Sequence, residues 1–310
     1  MRIVVLGAGA LGSLFGGLLA GANDVIVLGR KPAVETIARR GLRLEGATRK
    51  NAAVKVATDA GALDPPDLLL VAVKAYDTEV AISEAIGLIG SRTAVLSMQN
   101  GITTIDLLAK LVPEPNLIAG WTSHGATLER PGVVRHAGAG DTVVGELDGR
   151  STHRIRAISR AFCESDIATS VSAEIRRELW LKGLVNSAIN PLTALARCEN
   201  GRIATDKNLS RVAKVICAEG AAVARAEGHP ITADAAYRRV IRVARQTSAN
   251  RSSMLRDIEM GRRSEIDYLN GAIAALARER GLPAPVNEAL SQIVRGIEGE
   301  NRSAGGVRGK

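Results

Sequence analysis

The chain has 310 residues, 46% of them hydrophobic and 24% charged, a composition that excludes a disordered or collagen-like protein; at about twice a typical 150-residue domain, it points to two cores. Only seven residues are aromatic (Phe15, Phe162, Tyr76, Tyr237, Tyr268, Trp121 and Trp180), so those cores must be aliphatic, and the three cysteines Cys163, Cys198 and Cys217 suggest neither a disulfide framework nor a zinc site. The net charge of +9 is uneven: residues 1–170 hold 18 Lys/Arg against 17 Asp/Glu, and residues 171–310 hold 23 against 15. A basic half attracts phosphates and carboxylates, but solvated Arg-rich helix faces are the commoner cause, and the scarcity of stacking aromatics argues against nucleic acid.

In chain order, residues 3–22, IVVLGAGALGSLFGGLLAGA, are uncharged and superficially resemble a signal peptide or a membrane span. Their six glycines instead divide the run into a β-branched strand, a turn and a helix start. No other uncharged run approaches the roughly 20 apolar residues of a spanning helix, so no membrane is expected, and with the cysteine usage a cytoplasmic protein is expected. The reading is a strand at residues 2–6, a helix at 10–20 and a strand at 24–28, which makes a βαβ unit. Further strands are predicted at 42–45, 54–58, 68–73, 94–98 and 117–121, with a helix at 77–89 between two of them. The nearly unbroken apolar runs LLLVAV and TAVLSM fit a parallel sheet covered on both faces. Residues 123–146 read as short strands and turns, an antiparallel extension of the sheet edge. From about residue 173 the pattern is helical, with runs at 174–189, 209–227, 233–245 and 266–280. The expected organisation is therefore an α/β domain at 1–172, an all-α domain at 173–300 and a flexible tail at 301–310.

Gly7-Ala8-Gly9-Ala10-Leu11-Gly12 is a G-x-G-x-x-G sequence that follows a strand and opens a helix. In that context the first glycine permits a tight turn, the second lets a pyrophosphate approach the backbone, and the third lets helix and strand pack closely, with the helix N-terminus facing negative charge. The N-terminal domain is thus expected to be a Rossmann-type dinucleotide-binding domain. At the end of the second strand, where NAD-selective sites carry an acid, the chain reads Leu28-Gly29-Arg30-Lys31. Two cations there suit a 2′-phosphate, so the expected cofactor is NADPH. Lys74 and Asn100 each lie just past the C-terminal end of an apolar strand, the edge where open α/β sheets bind ligands.

In the second half, Lys182, Asn186 and Asn190 recur every four residues in an otherwise apolar stretch. On a helix they form one polar stripe, which either faces a polar cleft or packs against a partner helix. Pro191 then interrupts the ladder and frees a carbonyl near residue 187. Ser252-Ser253 reads first as a helix N-cap. The four histidines, His124, His136, His153 and His229, are dispersed and show no metal-ligand spacing, so no metal is assigned.

Taken together, GAGALG, VAVKAYDT, MQNGI, TSHGA, PGVVRHAG, LWLKGLVNSAINPLTAL and SSMLRDIEMGRRSEIDYLNG make the chain resemble the ketopantoate reductases over nearly its whole length. The resemblance implies NADPH-dependent reduction of 2-dehydropantoate to (R)-pantoate, a step toward pantothenate and coenzyme A, with the active site in the cleft between the domains. It gives Lys182 the proton-donor place and puts Asn186, Asn190, Asn200 and Ser253 in the substrate places. Asn100 would touch both ligands, Lys74 and Ala126 the cofactor, and Glu265 the cofactor or the reacting end of the substrate. The N-x-S-S element departs from the family by carrying Arg251. The partner is a small 2-oxo acid, and the protein a monomer or homodimer. Two rival readings stay open: a reductase of another branched 2-oxo acid, and a non-catalytic NADP-binding regulatory protein.

Overall fold

The computed structural model describes residues 1–307, with side chains through Gly299. Contacts divide the chain into two units, one of residues 1–99 with 104–175, the other of residues 100–103 with the chain from Arg176 onward.

The first unit contains twelve strands: β1 (Arg2–Leu6), β2 (Asp24–Leu28), β3 (Leu42–Gly46), β4 (Lys50–Ala52), β5 (Lys55–Ala57), β6 (Leu68–Val71), β7 (Ala94–Ser97), β8 (Leu117–Thr122), β9 (Gly125–Arg130), β10 (Val133–Gly138), β11 (Thr142–Glu146) and β12 (Thr169–Val171). Eight of them form one sheet in the order β12-β11-β8-β7-β6-β1-β2-β5. From β8 through β5 all neighbours are parallel, and β6 and β7 are buried at every position, as a sheet covered on both faces requires. Strand order reverses beside β1, so the turn that leaves β1 lies at the topological switch point where such sheets bind ligands.

The region 123–146 behaves differently from the expected edge extension. Only β11 extends the main sheet, antiparallel to β8. β9 and β10 pair with each other and join β3 and β4 in a separate four-stranded sheet, order β4-β3-β10-β9. Helix α1 (Ala10–Leu19) packs against strands of both sheets. A Cβ on Gly16 would stand 2.8 Å from Val27 of β2, and one on Gly17 3.0 Å from Leu44 of β3. A helix buried all round must be apolar all round, and this accounts for the uncharged glycine-rich run. Among the described residues no helix is long and apolar enough to cross a membrane. The remaining helices of this unit are α2 (Lys31–Arg40), α3 (Thr78–Ala85, then a 3₁₀ turn through Leu88), α4 (Thr104–Ala109) and α5 (His153–Cys163).

The second unit is helical: α6 (Ile175–Ala196), α7 (Arg202–Thr205), α8 (Lys207–Ala226), α9 (Ala233–Gln246), α10 (Ser253–Glu259), α11 (Asn270–Glu279) and α12 (Pro285–Val307). Asp206 caps α8, Thr232 caps α9 and Ser252 caps α10, each accepting first-turn N–H bonds. Helix α6 does not end before Pro191 as the sequence suggested. The carbonyl that the proline frees, that of Ser187, accepts a 3.0 Å bond from Asn270 Nδ2, so the helix carries the proline without a buried unpaired acceptor. The tail expected at 301–310 falls in α12 as far as Val307, and residues 308–310 lie outside the described residues.

Candidate active site

The glycine-rich turn belongs wholly to the first unit. Gly7 has φ +118°, a left-handed conformation that L side chains rarely adopt, and a Cβ there would also sit 2.9 Å from Val73. A Cβ on Gly12 would stand 1.9 Å from the Gly7 carbonyl oxygen, so only glycine lets α1 start against this turn. Gly9 is the opposite case, because nothing lies within 4 Å of where its Cβ would be. That open space in front of backbone N–H groups at a helix start is what a pyrophosphate needs, and the turn therefore fits a dinucleotide. Ala8, Ala10 and Leu11 complete the turn, with Ala8 against Gly29 at the end of β2.

The other first-unit residues singled out by sequence lie on neighbouring strands. Arg30 follows β2 and pairs with Asp77 at 3.1 Å, and Lys31 opens α2 with Glu35 at 3.8 Å. Lys74 lies three residues past the end of β6, two beyond Ala72, whose N–H donates to Leu6 O of β1. Ala126 on β9 pairs in register with His136 of β10. Two of the four dispersed histidines meet here: His124 Nδ1 and His136 Nε2 are 3.0 Å apart, and His136 Nδ1 is 2.9 Å from Thr48 Oγ1. Burial pushes both imidazoles down from 6.5, helped at His124 by its neighbour His136 and opposed by Asp141. Among the described residues no group of three or more His, Cys, Asp or Glu could hold a metal ion.

In the second unit, Asn100, Lys182 and Glu265 form one chain of contacts. Lys182 Nζ donates to Asn100 Oδ1 at 2.9 Å, and Asn100 Nδ2 donates to Glu265 Oε2 at 3.3 Å. A cation on one side and a carboxylate on the other leave the amide one consistent orientation. Burial pushes the Lys182 ammonium down from 10.5 to about 8, against the upward pull of the Glu265 carboxylate. Asn100 reaches this cluster because residues 100–103 pack with the helices. Ile102 is buried among α6 residues, its N–H donates to Tyr268 O at 2.8 Å, and Gly183 makes room for it, since a Cβ there would stand 2.4 Å from Ile102.

Asn186 and Asn190 follow Lys182 at four-residue spacing on α6, and among the described residues neither amide side chain has a hydrogen-bond partner. Asn200 is tied by its Nδ2 to Thr247 Oγ1 at 3.0 Å, while its Oδ1 is buried without a partner. Ser252, not Ser253, is the N-cap of α10, and it also accepts from Thr193 Oγ1 at 2.8 Å. That leaves Ser253 exposed as the first residue of the helix. Arg251 is ion-paired with Glu259. The Lys182–Asn100–Glu265 chain was not legible as a unit, because 82 and 165 residues separate its bonded partners.

A parallel sheet with its glycine-rich turn at the switch point, and a helical unit holding a desolvated amine against an amide and a carboxylate, define a dinucleotide-dependent oxidoreductase. Comparison with known proteins narrows the class. Residues 3–149 match the family described as ketopantoate reductase PanE/ApbA, and residues 174–298 match its C-terminal domain. The chain belongs to the ketopantoate reductase family. A 2-dehydropantoate 2-reductase of Halobacterium salinarum is 39% identical over 95% of this chain and 98% of the relative. The crystal structure of a PanE/ApbA family ketopantoate reductase from Ralstonia eutropha JMP134 superposes with a TM-score of 0.87 at 32% identity, covering 97% of this chain and 100% of that one. The ternary structure of D-mandelate dehydrogenase with NADH and anilino(oxo)acetate gives a TM-score of 0.91 at 26% identity, covering 97% of this chain and 100% of that one.

Proposed function

We propose that the protein reduces the 2-oxo group of 2-dehydropantoate to (R)-pantoate with NADPH, Lys182 being the proton donor. The observation that carries this reading is the Lys182–Asn100–Glu265 chain. An amine at about 8 is largely protonated at neutral pH, yet gives up its proton far more readily than an ordinary lysine. NADPH, when bound along the Gly7–Gly12 turn with Arg30 and Lys31 at its 2′-phosphate, supplies the hydride to the carbonyl carbon. Lys74 and Ala126 would line its course.

The chain's own residues manage the oxygen and the proton. Asn100 takes one N–H of the Lys182 ammonium, leaving two to stabilise the developing alkoxide and then protonate it. Because Asn100 stands between Lys182 and Glu265, the ammonium is not consumed by a direct ion pair, while the carboxylate still keeps it from falling further. The unpartnered amides of Asn186 and Asn190 offer donors and acceptors to the carboxylate and the 4-hydroxyl of the substrate. Asn200 would add its buried Oδ1, and Ser253 an exposed hydroxyl.

The experiment is a comparison of 2-oxo acids with the full chain and NADPH. A substrate lacking the 4-hydroxyl would leave buried polar groups unpaired at about 1–3 kcal/mol. Ketopantoate should therefore exceed ketoisovalerate by at least about tenfold in kcat/KM. Comparable values would move the reading to a general branched 2-oxo acid reductase. The likeness to D-mandelate dehydrogenase favours a second reading, an aryl 2-oxo acid reduced with NADH. Phenylglyoxylate turned over faster than ketopantoate, and with NADH as well as NADPH, would select it.

A further inference from the structure

We propose that Asp77 sets how strongly this protein prefers a 2′-phosphorylated dinucleotide, by opposing Arg30 and by offering a ribose 2′-hydroxyl the carboxylate that the end of β2 lacks. The proposal rests on the reading of Arg30 and Lys31 as the cations at the adenosine ribose. The sequence after β2 is Leu28-Gly29-Arg30-Lys31, with no acid. The structure brings one in from elsewhere: Asp77 Oδ1, 47 residues on, lies 3.1 Å from Arg30 Nη2.

Two features show that this carboxylate is not merely a helix cap in contact with a passing arginine. Asp77 occupies the N-cap place of α3, where an aspartate usually accepts a first-turn N–H, yet it makes no side-chain cap bond there. It also sits at the end of the short 3₁₀ turn Ala75–Asp77, with its side chain 33% exposed against 83% for Arg30. The acid is the anchored partner and the guanidinium the one able to swing. Lys31 likewise faces Glu35, at a looser 3.8 Å, so each cation of the pair is faced by a carboxylate.

A dianionic 2′-phosphate arriving at Arg30 must displace Asp77 or share the guanidinium with it, and the two anions repel. A neutral 2′-hydroxyl meets no such repulsion and can donate to the carboxylate. Specificity is a difference of two affinities, and a repulsive group against one ligand is as effective as an attractive group for the other. Because the Arg30 side of the pair is largely solvent-exposed, the effect should be modest, about three- to tenfold.

The test is calorimetric binding to the full chain of adenosine 2′,5′-bisphosphate and AMP, which carry only the adenosine end, alongside NADP⁺ and NAD⁺. Asp77→Asn should tighten the two 2′-phosphorylated ligands about three- to tenfold, leave AMP and NAD⁺ unchanged or weaker, and have a smaller effect in an Arg30→Ala background, where only the anion–anion repulsion is left to relieve. Equal changes for both classes of ligand, or weaker binding of the phosphorylated pair, would overturn the proposal. Arg30→Ala alone separates it from the cofactor reading. Equal losses for phosphorylated and unphosphorylated ligands in that variant would sink the NADPH assignment itself. A loss confined to the phosphorylated pair, with Asp77→Asn indistinguishable from wild type, would sink only the role of Asp77.

Discussion

The two units build their parts of the chemistry from opposite materials. The first presents absence of side chain: Gly7 is there for its φ, Gly12 because any Cβ would strike the Gly7 carbonyl, and Gly9 for the open space in front of it. The second presents side chains at long reach, an amine, an amide and a carboxylate drawn together from residues 182, 100 and 265. A site made of backbone is broken by adding atoms, and a site made of side chains by removing them. Perturbing each unit in its own way, and then in the other's, tests this contrast.

The largest effect is expected from removing one amine. Lys182→Ala should lower turnover by roughly 10²- to 10⁴-fold, the usual worth of a positioned general acid, in steady-state assays. NADPH affinity, measured by fluorescence titration, should change less than about threefold, because the turn proposed to hold the dinucleotide is made by other residues. Near-normal turnover would show that the proton has another source. Next comes addition in the first unit. Gly12→Val should weaken dinucleotide binding by about 100-fold or more and destabilise the first unit by several kcal/mol, since overpacking against backbone has no easy relief. Gly9→Ala, with open space at its Cβ, should leave the thermal midpoint nearly unchanged while still weakening the dinucleotide. A large stability loss there would contradict the assignment of that space to a ligand.

A smaller effect is expected behind Lys182. Asn270→Ala would leave the Ser187 carbonyl, freed by Pro191, buried without its donor, at a cost of about 1–3 kcal/mol by chemical denaturation. An unchanged denaturation midpoint would mean that the proline-containing helix needs no such partner.

The same contrast explains what could be read from the amino-acid sequence. The strand, turn and helix at residues 2–19 were legible because backbone constraints write themselves as glycines at fixed spacing, and fully buried strands write themselves as unbroken apolar runs. The second sheet was not legible. Whether β9 and β10 extend the main sheet or join β3 and β4 depends on pairings some 90 residues apart, with the same alternation in either case. Local sequence stops helix α6 before Pro191, because its rescue by Asn270 lies 83 residues away. The stripe of Lys182, Asn186 and Asn190 was visible, but its meaning was open, since a polar stripe on a helix serves packing as well as chemistry. His124 and His136 look dispersed in the sequence, twelve residues apart, until the hairpin brings them together. The resemblance to ketopantoate reductases carried the roles that spacing alone left undecided.

The most direct test of the division between a backbone-built cofactor site and a side-chain proton donor is the pH dependence of kcat/KM in both directions. Lys182 has its folded value lowered to about 8, so an ammonium acting as the proposed proton donor would be lost as pH rises through that value, while the free amine that would serve the reverse oxidation is gained. Glu265 raises the Lys182 value, so Glu265→Gln should move both limbs to lower pH. The expected result is a reduction rate that falls above about pH 8, an oxidation rate that rises over the same interval, and a common shift of both in Glu265→Gln. Reduction that stays flat from pH 7 to about 9.5, with no shift in the variant, would contradict it.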